Sequence, residues 1–129
     1  MRVHRILAVD DSGVLRRLIE VSLRPLDLQV VTVSTGKEAC DAAIAAAPDL
    51  LLLDLGLPDM SGWDVLDFVQ GEPALDGLSV VMLTGASDAA DVEKADDAGV
   101  DEYLTKPFRP GDLRRVVATI LGYQEPINV

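Results

Sequence analysis

The sequence predicts an α/β fold with a parallel sheet covered by helices on both faces, and three observations lead there. Five short apolar segments alternate strictly with five helix-like segments along the 129 residues. The strand segments are apolar nearly throughout, the pattern of strands buried on both faces. The helical segments are punctuated by capping residues and by proline or glycine stops. Crossovers between such strands are right-handed.

The elements follow in order. Arg5–Val9, RILAV, is the first strand. GVLRRLIEVSLRPL places Val14, Leu15, Leu18, Ile19 and Leu23 at helical spacing, with Ser12 as cap and Pro25 as stop. Gln29–Val33 is β-branched and reads as a strand. STGKEACDAAIAAAP is an alanine-rich helix ended by Pro48. LLLLD, Leu50–Asp54, is the third strand. A loop with Gly56, Pro58 and Gly62 leads to a short helix, Trp63–Gln70. Ser79–Gly85 is the fourth strand. The fourth helix is capped by Ser87 or Asp88 and stopped by Gly99. Asp101–Thr105 is the fifth strand. The last helix presents Leu113, Val116, Val117, Ile120 and Leu121 on one face.

Composition narrows the function. The length suits one domain with a full core, 1–129, with its core at about 5–121 and 122–129 as a tail. A net charge of -11 argues against nucleic acid or an anionic membrane as a partner of this domain. No apolar run is long enough for a membrane span, and the N-terminus lacks a signal-peptide core. A single cysteine, Cys40, excludes an intrachain disulfide and fits a reducing cytosol, so a cytoplasmic location is expected. No zinc-ligand spacing is present, and the few aromatics form no base-stacking platform.

Ligands of such sheets sit at the carboxyl ends of the strands. The first strand ends in Asp10 and Asp11, the third in Asp54, the fourth in Thr84 and the fifth in Lys106 and Pro107. The second ends in Ser34, which carries no pointed chemistry. Taken singly, each has a plainer role: a helix cap, a loop residue, a β-branched strand residue, a solvated charge. Together they are complementary. Two carboxylates ~4 Å apart repel by about 4 kcal/mol at an effective dielectric near 20. The three must take up a proton or hold a cation. A hard divalent ion, magnesium, answers the repulsion and the burial cost and leaves positions open for phosphoryl oxygens. Lys106 supplies a positive charge and Thr84 a hydroxyl. Such a set suits phosphoryl transfer to an aspartate. Asp54, alone on its strand, is the better nucleophile, and Asp10–Asp11 the metal seat.

These segments, VDDS, LLLLDLGLPDMSG, VVMLTGAS and YLTKPF, resemble the response-regulator receiver domain of bacterial two-component signalling. The resemblance runs from about Arg5 to Leu121. It implies a flavodoxin-like (βα)5 sandwich with strand order 2-1-3-4-5. It implies that Asp54 takes a phosphoryl group from a sensor histidine kinase or phosphotransfer protein. Asp11, Asp54 and the Gly56 carbonyl would bind magnesium, with Asp10 acting through a water. Lys106 would contact the phosphoryl group, and the Lys106–Pro107 bond would be cis. Thr84 would swing toward the phosphoryl group and Tyr103 would turn inward, biasing the surface of helix four, strand five and helix five. A downstream protein or an output domain would receive the signal, and a phosphorylation-dependent dimer is left open. The domain would be no enzyme beyond its own phosphorylation and dephosphorylation. After GYQEPINV no output domain follows, so a free-standing receiver and a piece of a longer regulator both fit.

Some positions depart from common family choices. Gly56 and Ala86 are small, which predicts a phosphoaspartate open to water and short-lived. Helix four is acidic, with Asp88, Asp91, Glu93, Asp96 and Asp97, either a solvated face or a surface for a basic partner. A magnesium-dependent aspartate-nucleophile hydrolase of the haloacid type competes. It expects a second Asp where Gly56 stands and a cap insertion for which there is no room. A receiver-shaped scaffold that is never phosphorylated also competes, and the intact charged set argues against it. His4 is expected to lie exposed before the sheet, Cys40 to be a small core residue, and Trp63 to staple the third helix to the core or to the active-site loop.

Overall fold

A computed structural model describes residues 3–85 and 89–123. Strands β1 (His4–Val9), β2 (Leu28–Val33), β3 (Leu50–Asp54), β4 (Ser79–Thr84) and β5 (Glu102–Thr105) form one parallel sheet in the order β2-β1-β3-β4-β5. Helices α1 (Gly13–Leu23), α2 (Gly36–Ala46), α3 (Gly62–Gln70), α4 (Ala89–Asp97) and α5 (Pro110–Leu121) connect and cover it. The flavodoxin-like order implied by the resemblance is the order observed. Pro73–Leu75 add a 3-10 turn that the apolar pattern does not announce.

The sheet divides the leucine run of β3 between two cores. Leu50 and Leu52 join Ile6, Ala8, Ile19, Leu113 and Val117 on the side of α1 and α5. Leu51 and Leu53 join Leu7, Val9, Val65, Leu66 and Met82 on the side of α2, α3 and α4. All four leucines are fully buried, each worth roughly 1.5–3 kcal/mol over exposure. That is why the strand shows no polar alternation. Cys40 packs half-buried against the second core, and burial raises its thiol pKa.

Most helix boundaries follow local chemistry. The Ser12 hydroxyl accepts the Leu15 N–H and starts α1, which ends at Leu23, just before Pro25. Thr35 caps α2, which ends with Ala47 in the left-handed region ahead of Pro48. Ser61 and Asp64 form a reciprocal capping box at α3. The Ser87 or Asp88 cap expected for α4 lies outside the described residues. Among the described residues no helix is long and apolar enough to cross a membrane.

His4 corrects its expectation. It is the first residue of β1, half-buried, with Nδ1 3.0 Å from the Tyr123 hydroxyl and its ring edge-on to the tyrosine at 5.1 Å. The Tyr123 hydroxyl donates its one proton to the Asp27 carbonyl at 2.9 Å, so His4 Nδ1 is the donor in their contact. Edge packing and this hydrogen bond draw the ring out of solvent.

Gly62 brings α3 against the end of β3. Its N–H donates to the Leu55 carbonyl at 2.9 Å, and a Cβ there would run into the carbonyl of Asp54. Gly56 has open space where a Cβ would stand. Gly62→Ala is therefore expected to cost about 1–3 kcal/mol by overpacking, while Gly56→Ala stays within about 0.5 kcal/mol of wild type. Chemical denaturation of the two variants checks the contrast.

Candidate functional site

The register of the sheet gathers the charged residues. Val9 pairs with Leu53, so Asp10 and Asp54 emerge side by side at the ends of β1 and β3. Asp10 continues the row Ile6–Ala8 and Asp54 continues Leu50–Leu52, so both carboxylates extend apolar rows facing α1 and α5. Asp10 is fully buried and Asp54 is 6% exposed, whereas Asp11 is exposed. Carboxylate oxygens of Asp10, Asp11 and Asp54 lie within 4.8 Å of one another, a set of hard oxygen donors that fits a divalent cation.

Lys106 comes from the turn after β5, next to the cis Lys106–Pro107 bond. Its ammonium sits 2.6 Å from Asp10 Oδ2 and 3.2 Å from Asp54 Oδ1. The backbone supports this set. The Ser12 N–H donates to Asp10 Oδ1 at 2.9 Å and the Gly56 N–H to Asp54 Oδ1 at 3.2 Å. The Arg16 guanidinium, which the sequence did not single out, donates to the Asp10 carbonyl at 2.8 Å and holds the turn into α1.

Burial raises the Asp54 carboxyl pKa above its ordinary value; Lys106 opposes this, the Asp10 charge adds to it, and the Gly56 N–H opposes it. Burial would pull the Lys106 ammonium down, but the hydrogen bond to Asp10 and the charges of Asp54 and Asp10 outweigh it, so it is raised.

Thr84 is buried at the end of β4, two residues after Met82, and so faces the α2–α4 side. Tyr103 pairs with Met82 on β5 and packs half-buried against that same core. The structure thus brings Asp10, Asp11, Asp54, Gly56 and Lys106 into one cluster. It sets Thr84 and Tyr103 on the other face of the neighbouring strands. Trp63 packs half-buried on the second core, and the Lys94 ammonium of α4 lies 4.5 Å from its ring, a contact the sequence did not reveal.

The family model of the response regulator receiver domain matches residues 6–118. The chain belongs to this family. The receiver domain is 43% identical over 103 residues to the transcriptional regulatory protein KdpE of Mycobacterium tuberculosis, covering 80% of the chain and 44% of that protein. It is 38% identical over 109 residues to the DNA-binding response regulator MtrA of Mycobacterium leprae, covering 84% of the chain and 47% of that protein. It therefore spans under half the length of these relatives. The chemotaxis response regulator CheY4 of Vibrio cholerae superposes with a TM-score of 0.85 at 26% identity, over 92% of the chain and 99% of its own. Receiver domains are signalling modules rather than conventional enzymes, which sets aside the hydrolase reading.

The raised Asp54 pKa gives a pH prediction for the metal-free protein. Across the window between the unfolded and folded values the folded state binds more protons, so stability falls as pH rises through it. Wild type and Asp54→Asn should match at the acid end, and wild type should become the less stable of the two above that window. A divalent cation seated among the three carboxylates at a hundred times its Kd would then return about 2.7 kcal/mol to wild type and much less to Asp54→Asn. Thermal unfolding across pH, with chelator or magnesium, checks both.

Proposed function

We propose that this receiver domain accepts a phosphoryl group on Asp54 from the phosphohistidine of a sensor histidine kinase or phosphotransfer protein. The P–N bond to imidazole breaks, a P–O bond to the Asp54 carboxylate forms, and the imidazole leaves with a proton from solvent. The observation that carries this reading is the Lys106 ammonium 3.2 Å from Asp54, beside two further carboxylates. Magnesium, when bound, would neutralise charge on the transferring phosphoryl oxygens. Asp11, Asp54 and the Gly56 carbonyl would hold it. Asp10, whose oxygens are engaged by Ser12 N–H and Lys106, would act through a water.

Lys106 would then pair with a phosphoryl oxygen. Thr84 would turn toward the phosphoryl group and Tyr103 would follow into the space it leaves, altering the α4–β5–α5 surface. Both residues facing one side supports their coupling. The domain would catalyse only its own phosphorylation and dephosphorylation, in the cytoplasm, with 5–121 as its core; of the expected 122–129 tail, Tyr123 packs on that core and 124–129 lie outside the described residues. The names of KdpE, a transcriptional regulatory protein, and MtrA, a DNA-binding response regulator, support a DNA-binding output for a longer protein of this kind. The net charge of -11 supports leaving DNA contact to that output.

Incubation with acetyl phosphate and magnesium, followed by intact-mass measurement, should add one phosphoryl group to wild type and none to Asp54→Asn. Lys106→Ala should label at least tenfold more slowly, as loss of one preorganised charge-stabilising group does. An unlabelled wild type would leave the unphosphorylated scaffold as the better reading.

The open space at Gly56 supports a labile phosphoaspartate; Ala86 lies outside the described residues. Introducing Asn at Gly56 and a larger side chain at Ala86 should lengthen the half-life several-fold. A decay rate equal to wild type would count against shielding at these positions.

A further inference from the structure

The loop between β3 and α3 is anchored at both its base and its tip. At the base, Gly62 N–H donates to the Leu55 carbonyl, and Gly56 pairs with Ser61 through an antiparallel bridge. At the tip, the Asp59 carboxylate reaches the first turn of α2. Its Oδ1 accepts the Gly36 N–H at 2.8 Å and its Oδ2 the Lys37 N–H at 2.9 Å. The next N–H, that of Glu38, goes to the Thr35 hydroxyl at 3.1 Å. Asp59 is thus a helix cap delivered from 22 and 23 residues away.

Further observations make this a specific joint. The Gly36 and Lys37 amides hold the Asp59 carboxyl below its usual range, so it stays charged at neutral pH. Met60 occupies the space that a side chain at Gly36 would need, so a bare backbone lets the loop lie against α2. The loop also meets the acidic cluster, where the Gly56 N–H donates to Asp54 Oδ1 at 3.2 Å. A short path therefore joins the start of α2 to the carboxylate of Asp54: Gly36 and Lys37 amides, Asp59, the loop closed by the Gly56–Ser61 bridge, Gly56.

We propose that Asp59 is a positioning residue for the Asp54 site: by clamping the loop tip to α2 it fixes Gly56 beside Asp54 and so sets the affinity of the cluster for a divalent cation. This rests on the reading of Asp11, Asp54 and Gly56 as the cation seat. It makes the N-terminus of α2 part of the site's support, although the clustered carboxylates come from the turn after β1 and from β3.

Magnesium titration by calorimetry on Asp59→Ala, Asp59→Asn and Thr35→Ala tests the proposal. Thr35→Ala removes a cap from the same turn of α2 without touching the loop. Asp59→Ala should bind magnesium about tenfold more weakly, the low end of what losing an outer-shell partner does. Asp59→Asn, keeping one acceptor oxygen, should fall between it and wild type. Thr35→Ala should bind as wild type does, and exchange of the Gly56 amide should quicken only in the Asp59 variants. Equal weakening in Thr35→Ala would assign the effect to helix stability and overturn the proposal. Wild-type affinity in Asp59→Ala would overturn it too, while acetyl phosphate labelling of Asp54 would leave the proposed function standing. A wild type that binds no magnesium would overturn both.

Discussion

A lysine ammonium set between two buried carboxylates is the interaction on which this structure depends. Asp10 has no exposed surface and Asp54 almost none, and a charge buried at the end of an apolar row is costly unless it is paired. Lys106 makes the pair tolerable, but it comes from the turn after β5, a strand separated from β3 by β4. At about 4.8 Å per strand that is a gap of roughly 10 Å between backbones, closed by the lysine stem from one side and by the Asp54 side chain, with its 3.2 Å contact, from the other. The turn that launches it is tied to that same end, with the Lys106 N–H donating to the Thr84 carbonyl at 2.6 Å. Strand order, strand length and the choice of lysine are thus one constraint seen three ways.

Much of this was legible in the sequence because its causes are local. Unbroken runs such as Leu50–Leu53 announce a strand covered on both faces, and the structure divides those leucines between two cores. Ser12, Pro25 and Pro48 mark helix ends through their own side-chain chemistry. The cluster could be read because complementary residues stand at successive strand ends, where a parallel sheet must bring them together. Asp59 could not be read this way. It looks like an ordinary loop aspartate, and its donors lie in another element. Gly62 looked like a turn glycine, but it is required by the closeness of two backbones. His4 and Tyr123 are 119 residues apart, and their contact exists only once β1 and the end of α5 are in place. The Ser61–Asp64 box was visible as a serine three residues before an acid, a signal that could have moved the start of α3 one residue earlier.

The two faces of the sheet divide the labour. Asp10, Asp54 and Lys106 continue rows that face α1 and α5, while Thr84 and Tyr103 belong to the side of α2, α3 and α4. An event at the cluster that draws on Thr84 therefore crosses the sheet at the tip of β4 rather than travelling along one surface.

Trp63 adds a practical consequence. It is the chain's sole indole, and a cation from the acidic helix opposite rests on its face. Its emission is thus an intrinsic optical gauge of how α3 and α4 are spaced, legible in the unlabelled protein as conditions at the rim are changed.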